Sequence, residues 1–185
     1  MFGCGNDRAV TRSILHEIRR TELSPYVTLV ERDVEIDGRI ETYHSLAQAD
    51  YVTVLAVGGD GCIPLVRQYR PALDRELVEL PGGLLEQGET PAQCAARELT
   101  EETGFRVTTP LRPLGRLDPD SGRLENSLWA FLATDIEPVP GWRPEDGVER
   151  VLVDRAELLA VITNGRFTHA LHIAIVGLAL AAGAF

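Results

Sequence analysis

Apolar residues along this chain fall into short alternating runs more often than into helical stripes. Residues 26–47, "YVTLVERDVEIDGRIETYHSLA", read as two extended runs joined at Asp37-Gly38, a dipeptide that favours a tight hairpin turn. "DYVTVLAVGGDGCIPLVRQYRP" repeats the design, with strands expected over 52–57 and 62–69 and a glycine-rich turn between them. A short strand through "ELVEL" ends at Pro81, and further strands are expected over 106–117, 127–134 and 148–153. Helical spacing appears at Val10, Ile14 and Ile18, which predicts an N-terminal helix. A better-marked helix starts at Thr90-Pro91-Ala92-Gln93: a capping threonine, a proline at the first helical position, and glutamine three residues after the cap. It is expected to run from Pro91 to Thr103 and stop at Gly104. Two more helices are expected over 155–163 and 168–180. Strands outnumber helices and neighbouring strands look like hairpins, so the fold class is α+β rather than a doubly wound parallel sheet. Residues 1–48 read as an extension made of a helix and a β-hairpin, and 49–185 as the main domain.

Composition narrows this picture. With 185 residues and 44% hydrophobic content the chain can bury one sizeable core, while two full domains would be a squeeze. A formal net charge of −10 argues against a nucleic-acid partner, which needs a basic stripe. It leaves open a negatively charged small substrate, provided that divalent cations lie between it and the protein. Cys4, Cys62 and Cys94 are odd in number and widely spaced, which speaks against a disulfide framework or a zinc site and for a reducing cytoplasm. "MFGCGNDRAV" has no charged-then-apolar signal pattern. The C-terminal "ALHIAIVGLALAAGAF" is too short to span a bilayer and contains His172, so a buried or interface helix is expected and no membrane partner.

The chemistry concentrates on the Pro91–Thr103 helix. Glu98, Glu101 and Glu102 stand at i, i+3 and i+4 and therefore share one face, where like charges repel. A bare E-x-x-E-E is more often a solvated helix face than a site. Its surroundings change that. Gly83 is followed by five residues and Glu89; seven more lead to Arg97-Glu98-Leu99, then Thr100, Glu101-Glu102, Thr103, Gly104 and Phe105. Glu98 and Glu102, one turn apart, offer hard oxygens suited to Mg²⁺ or Mn²⁺. Glu101 adds a third carboxylate for a second ion or for a metal-bound water. Glu89 can reach toward the metals or pair with Arg97, and Arg97 can orient the carboxylates. Gly83 permits a tight turn after the strand, and Leu99 faces the core.

"GLLEQGETPAQCAARELTEETGF" fits G-x5-E-x7-R-E-U-x-E-E-x-G-U, with U a bulky apolar residue, at every position. In this it resembles the Nudix hydrolases. The resemblance implies a mixed β-sheet core with flanking helices, an α/β/α sandwich. It also implies metal ligation by Glu98, Glu101, Glu102 and the carbonyl of Gly82, and hydrolysis of a pyrophosphate to a nucleoside monophosphate and a second phosphorylated fragment. Glu101 and Arg97 are the implied catalytic residues inside the motif.

"LVRQYRPALDRELVELPGG" ahead of the motif is similar to the branch that cleaves ADP-ribose and nucleoside diphosphate sugars. It makes Arg67, Arg70 and Glu79 candidate substrate contacts, although the two arginines, three apart on a strand, point to opposite faces. That branch often carries a proline about fifteen residues beyond the motif; Pro119 fits, but the neighbourhood here is "PDSGR", and Ser121-Gly122 is a candidate phosphate or ribose turn or a plain hairpin turn. A late acidic loop supplies the general base in such enzymes; in "RPEDGVERVLV" the candidates are Glu145 and Asp146, ahead of Glu149, which is expected inside the next strand. The resemblance further implies a homodimer whose N-terminal strands help bind the base, with Tyr26, Tyr43 and Tyr51 available to stack on adenine. His16, His44, His169 and His172 read as structural. The expected substrate is a nucleotide sugar. Two other readings are GDP-mannose or a damaged nucleotide as substrate, and a non-catalytic ligand sensor.

Overall fold

A computed structural model describes residues 12–184. These divide into two compact units, one of residues 12–48 with Asp120–Asn126, the other of residues 49–119 and 127–184.

In the first unit three antiparallel strands, β1 (Arg12–Ser24), β2 (Val27–Ile36) and β3 (Arg39–Ala47), form a meander. Asp37 and Gly38 both adopt positive φ, 51° and 76°, which gives the β2–β3 connection the twist of its strands. The expected N-terminal helix is corrected to a strand over the described part of that segment; Val10 lies outside the described residues. Ile14 and Ile18, four apart, fit an alternating strand as well as a helical turn, and pairing along the whole of β2 decides the matter. Asp120–Asn126 joins this unit through main-chain bonds between Leu46 and both Arg123 and Glu125.

The second unit is built on β4 (Tyr51–Ala56), β5 (Ile63–Arg70), β6 (Arg75–Glu79), α1 (Pro91–Thr103), β7 (Phe105–Val107), β8 (Arg112–Leu117), β9 (Leu128–Ala133), β10 (Ile136–Pro138), β11 (Val148–Val153), α2 (Arg155–Thr163) and α3 (Ala170–Ala181). β4 lies parallel to β9, and β9 antiparallel to β8. β5 sits between β11 and β6, both antiparallel to it. β4 and β5 therefore do not form the hairpin that the glycine-rich turn suggested. Both β4 and β9 are buried on both faces, and such strands are placed by what covers them, not by the nearest turn.

Val52, Val54 and Ala56 of β4 pack with Cys94, Ala95 and Leu99 of α1. On the opposite side Leu55 packs with Leu158 of α2 and Ile175, Val176 and Ala179 of α3. Alternation along one strand thus builds a helix–sheet–helix arrangement. The strand expected over 106–117 is split into β7 and β8 around Pro110, which has no N–H for a ladder. The three-residue β10 was not foreseen.

Candidate active site

Helix α1 begins and ends as its sequence dictates. Thr90 Oγ1 accepts the Gln93 N–H at 3.3 Å while Gln93 Oε1 accepts the Thr90 N–H at 2.9 Å, and Gly104 closes the helix with φ of 69°. Leu99 points fully into the core, which sets the azimuth of the helix. The glutamates then lie on the flank facing the segment that leaves β6. Glu102 is only 8% exposed, whereas the Glu101 side chain, one residue earlier, is 44% exposed.

That segment, Pro81 to Leu85, runs along the free edge of β4. The Val54 N–H donates to Pro81 O at 3.0 Å and the Val52 N–H to Gly83 O at 2.9 Å. Gly82 lies between them, so in an extended chain its own N–H and C=O both face the other way. Its N–H donates to Glu102 Oε2 at 2.9 Å, which directs the Gly82 carbonyl toward the acidic flank of α1. Main chain leaves no room for a side chain at Gly82, whereas at Gly83 the obstacle is the mobile end of Glu98. A Cβ on Gly82 would lie 2.2 Å from Val52 O, and one on Gly83 2.2 Å from Glu98 Oε1.

Arg97 gathers the remaining carboxylates. Its guanidinium donates to Glu89 at 3.0 and 3.1 Å, to Glu98 at 2.8 Å and to Glu101 at 2.9 Å. These bonds pull the Glu89 carboxyl below its ordinary pKa. Burial raises Glu98 despite Arg97. Glu102, buried beside Glu98 and only partly compensated by the Gly82 N–H, is pushed up to about 7. Burial, with Glu89 adding to it, raises the Cys94 thiol to about 12, which makes it an inert core group. Among the described residues no three His, Cys, Asp or Glu side chains are placed together so as to hold a metal ion. Glu98 and Glu101 are turned onto Arg97, and Glu102 onto Gly82.

A cavity of about 190 Å³ adjoins this turn, lined by Tyr51, Thr53, Arg70, Gly82, Gly83, Leu84, His169 and His172 among others. Arg70 reaches it because it shares a sheet face with Glu79, whose carboxylate, 1% exposed, accepts from Arg70 Nε at 2.9 Å and Nη2 at 2.5 Å. Glu79 thus anchors Arg70 and does not itself open onto the cavity. Arg67 is placed elsewhere, as the three-residue spacing implied. It lies on the opposite face of β5, pairs with Glu149 at 2.9 Å, and lines a separate, valine-rich cavity. His169 and His172, at the start of α3, stack here with ring centroids 3.7 Å apart.

The late acidic loop is held to the end of α1. The Val139 N–H donates to Gly104 O, the Trp142 indole N–H to Glu101 O at 3.0 Å, and Arg150 to Thr103 O at 2.9 Å while lying over the Trp142 ring. A Cβ on Gly104 would strike that ring at 2.3 Å. Trp142 and Arg150 carried no signal in the sequence. Glu145 and Asp146 are both exposed at the following turn. Burial is the main cause of the raised Glu98 and Glu102, and the Glu145 charge adds a smaller push to both.

Pro119 lies at a bend just after β8. Ser121 and Gly122 belong to the other compact unit, where the Tyr43 hydroxyl donates to Gly122 O and Ser121 borders a cavity with Arg32, Tyr43 and Glu125. Tyr26 and Tyr43 are exposed in that unit, and Tyr51 is half-buried at the Arg70 cavity.

Residues 47–171 match the model of the NUDIX domain. The chain is 34% identical over 128 residues to an ADP-ribose pyrophosphatase of Bacillus subtilis, covering 69% of each. It is 40% identical over 109 residues to an ADP-ribose pyrophosphatase of Mycobacterium tuberculosis, covering 58% of this chain and 51% of that protein. A crystal structure of an ADP compounds hydrolase superposes with a TM-score of 0.80 at 21% identity, over 97% of this chain and 100% of the other, which shows a shared fold.

Proposed function

The chain belongs to the Nudix family and is a pyrophosphohydrolase, and from that premise we propose that it hydrolyses the pyrophosphate bond of ADP-ribose or a related nucleoside diphosphate sugar. The reading rests on the contact between Gly82 and Glu102, which turns a backbone carbonyl toward the carboxylate flank of α1. The ADP-ribose pyrophosphatases among the relatives support the substrate class.

The donor set fits a hard divalent cation. Glu98, Glu101 and Glu102 with the Gly82 carbonyl are all oxygen donors, and a carboxyl held at about 7 gains by facing positive charge. The ion is Mg²⁺ in this reading, with Mn²⁺ as the alternative. When bound, such an ion neutralises charge on the pyrophosphate oxygens and lowers the pKa of water. The chain's own residues do the rest. Arg97 holds Glu98 and Glu101 in a common orientation. Arg70, fixed by Glu79, presents its guanidinium to a phosphate oxygen. Glu145 takes the proton of the attacking water, with Asp146 as the alternative base. The water oxygen bonds to one phosphorus, and the bridging oxygen leaves with the other phosphate.

The sheet of β1–β3 carries exposed Ile18, Leu23, Tyr26, Ile40 and Tyr43, which supports a homodimer joined through the N-terminal unit. Among the described residues no helix is long and apolar enough to cross a membrane. The free thiols of Cys62 and Cys94 support a cytoplasmic location.

Incubation with ADP-ribose and Mg²⁺ is expected to release AMP and ribose 5-phosphate, and Glu102→Gln to abolish that release with unchanged circular dichroism. Binding without turnover across a panel of nucleotide sugars, GDP-mannose included, would overturn catalysis in favour of a ligand sensor.

A further inference from the structure

We propose that His172 is a positioning residue for the Gly82 carbonyl, acting from α3 through the main chain of Leu80. This rests on the reading above, in which that carbonyl faces the cation.

The turn from Leu80 to Gly83 is held at four main-chain groups, one in each residue. Pro81 and Gly83 are tied to β4, and Gly82 to Glu102. The N–H of Leu80, where the turn begins, is taken by His172 Nδ1 at 3.1 Å and not by another strand. Leu80 is 2% and His172 4% exposed, so bulk water does not substitute for the ring.

The second ring nitrogen closes the arrangement. Because Nδ1 accepts from Leu80 it carries no proton, so the proton of the neutral ring sits on Nε2, 3.4 Å from Thr53 Oγ1. Thr53 is the residue of β4 between Val52 and Val54, the two that hold the turn. Its Oγ1 would lie 3.0 Å from a Cβ on Gly82, so it adjoins that residue directly. His172 therefore links the start of the turn, the strand beneath it and α3 in one tautomer. The stacked ring of His169 limits its tilt. Burial holds His172 well below its ordinary pKa, consistent with this neutral form.

A residue that only fills the core and one that positions a ligand differ in what their loss changes. The test measures Mn²⁺ affinity of the full-length chain by isothermal titration calorimetry without substrate, beside Tm and the kcat and KM for ADP-ribose. His172→Phe keeps a ring and removes the acceptor. It is expected to weaken Mn²⁺ binding about tenfold, the scale on which groups that orient ligands act, and to lower kcat more than it raises KM. His172→Asn, which returns an acceptor near Nδ1, is expected to recover most of the affinity. Wild-type Mn²⁺ affinity in His172→Phe, whatever its Tm, would overturn the proposal. If that variant does not fold, Thr53→Val decides: several-fold weaker Mn²⁺ binding supports the proposal and unchanged binding overturns it. Glu102→Gln separates the two levels. Loss of Mn²⁺ binding there with wild-type affinity in His172→Phe rejects only the role of His172, whereas wild-type affinity in Glu102→Gln rejects the cation site itself.

Discussion

Glu102 should destabilise the metal-free protein at neutral and alkaline pH, and removing its charge should stabilise it. The carboxyl is 8% exposed, faces Glu98, and is held at about 7 against an ordinary 4.5. A raised carboxyl binds its proton more tightly folded than unfolded. Stability therefore falls as pH rises from 4.5 to about 7 and stays low above that. The penalty works out to about 1 kcal/mol at pH ~5.5 and about 3 kcal/mol at pH ~8. Glu102→Gln resembles the protonated acid and keeps an acceptor for the Gly82 N–H, so it escapes the penalty at both values. The difference between the two pH values, about 2 kcal/mol, corresponds to roughly 4–8 °C in Tm for a chain of this size. Thermal melts of both proteins in EDTA, at dilution because the isoelectric point is about 4.9, read it directly. The advantage of the variant should grow by that amount between the acid and alkaline buffers. Saturating Mg²⁺ should then raise the wild-type Tm and leave the variant nearly unmoved, since only the former gains binding free energy. A variant that gains nothing on going to alkaline pH would refute the reasoning, and so would a wild type indifferent to Mg²⁺.

Two further outcomes test the neighbouring parts of the site. Glu145→Gln is expected to lower kcat for ADP-ribose by about 10²-fold or more with little change in KM, and Asp146→Asn to leave kcat within about twofold; the reverse pattern would move the base by one residue. Gly83→Ala places a Cβ 2.2 Å from the Glu98 carboxylate, so it should displace that group and weaken Mn²⁺ binding by about tenfold or more while Tm moves little, which calorimetry and a melt together check.

What the sequence disclosed and what it hid follow from how far each signal reaches along the chain. Helix α1 was legible to the residue because its cap, its proline and its terminal glycine all act within one turn. The β4–β5 turn was legible as a turn but not as a partner choice, since pairing depends on which faces are buried. His172 and Leu80 are 92 positions apart, and Trp142 and Glu101 41; nothing local marks either contact. Gly104 shows both kinds of information at once. As a helix stop it needs only its left-handed φ, which the motif announces, but its bare Cα also receives the Trp142 ring, which no neighbouring residue reveals. The three glutamates divide in the same way. Spacing puts them on one flank and predicts their mutual repulsion, yet it treats them alike. Leu99 turns α1 so that Glu102 goes under the Gly82 turn while Glu101 stays half in water beside Arg97. Repulsion at Glu101 is screened by solvent and shared with a guanidinium, whereas at Glu102 it adds to burial. The pH-dependent penalty therefore falls chiefly on Glu102, with Glu98 contributing in the same direction, and Glu102→Gln should remove the larger part of it.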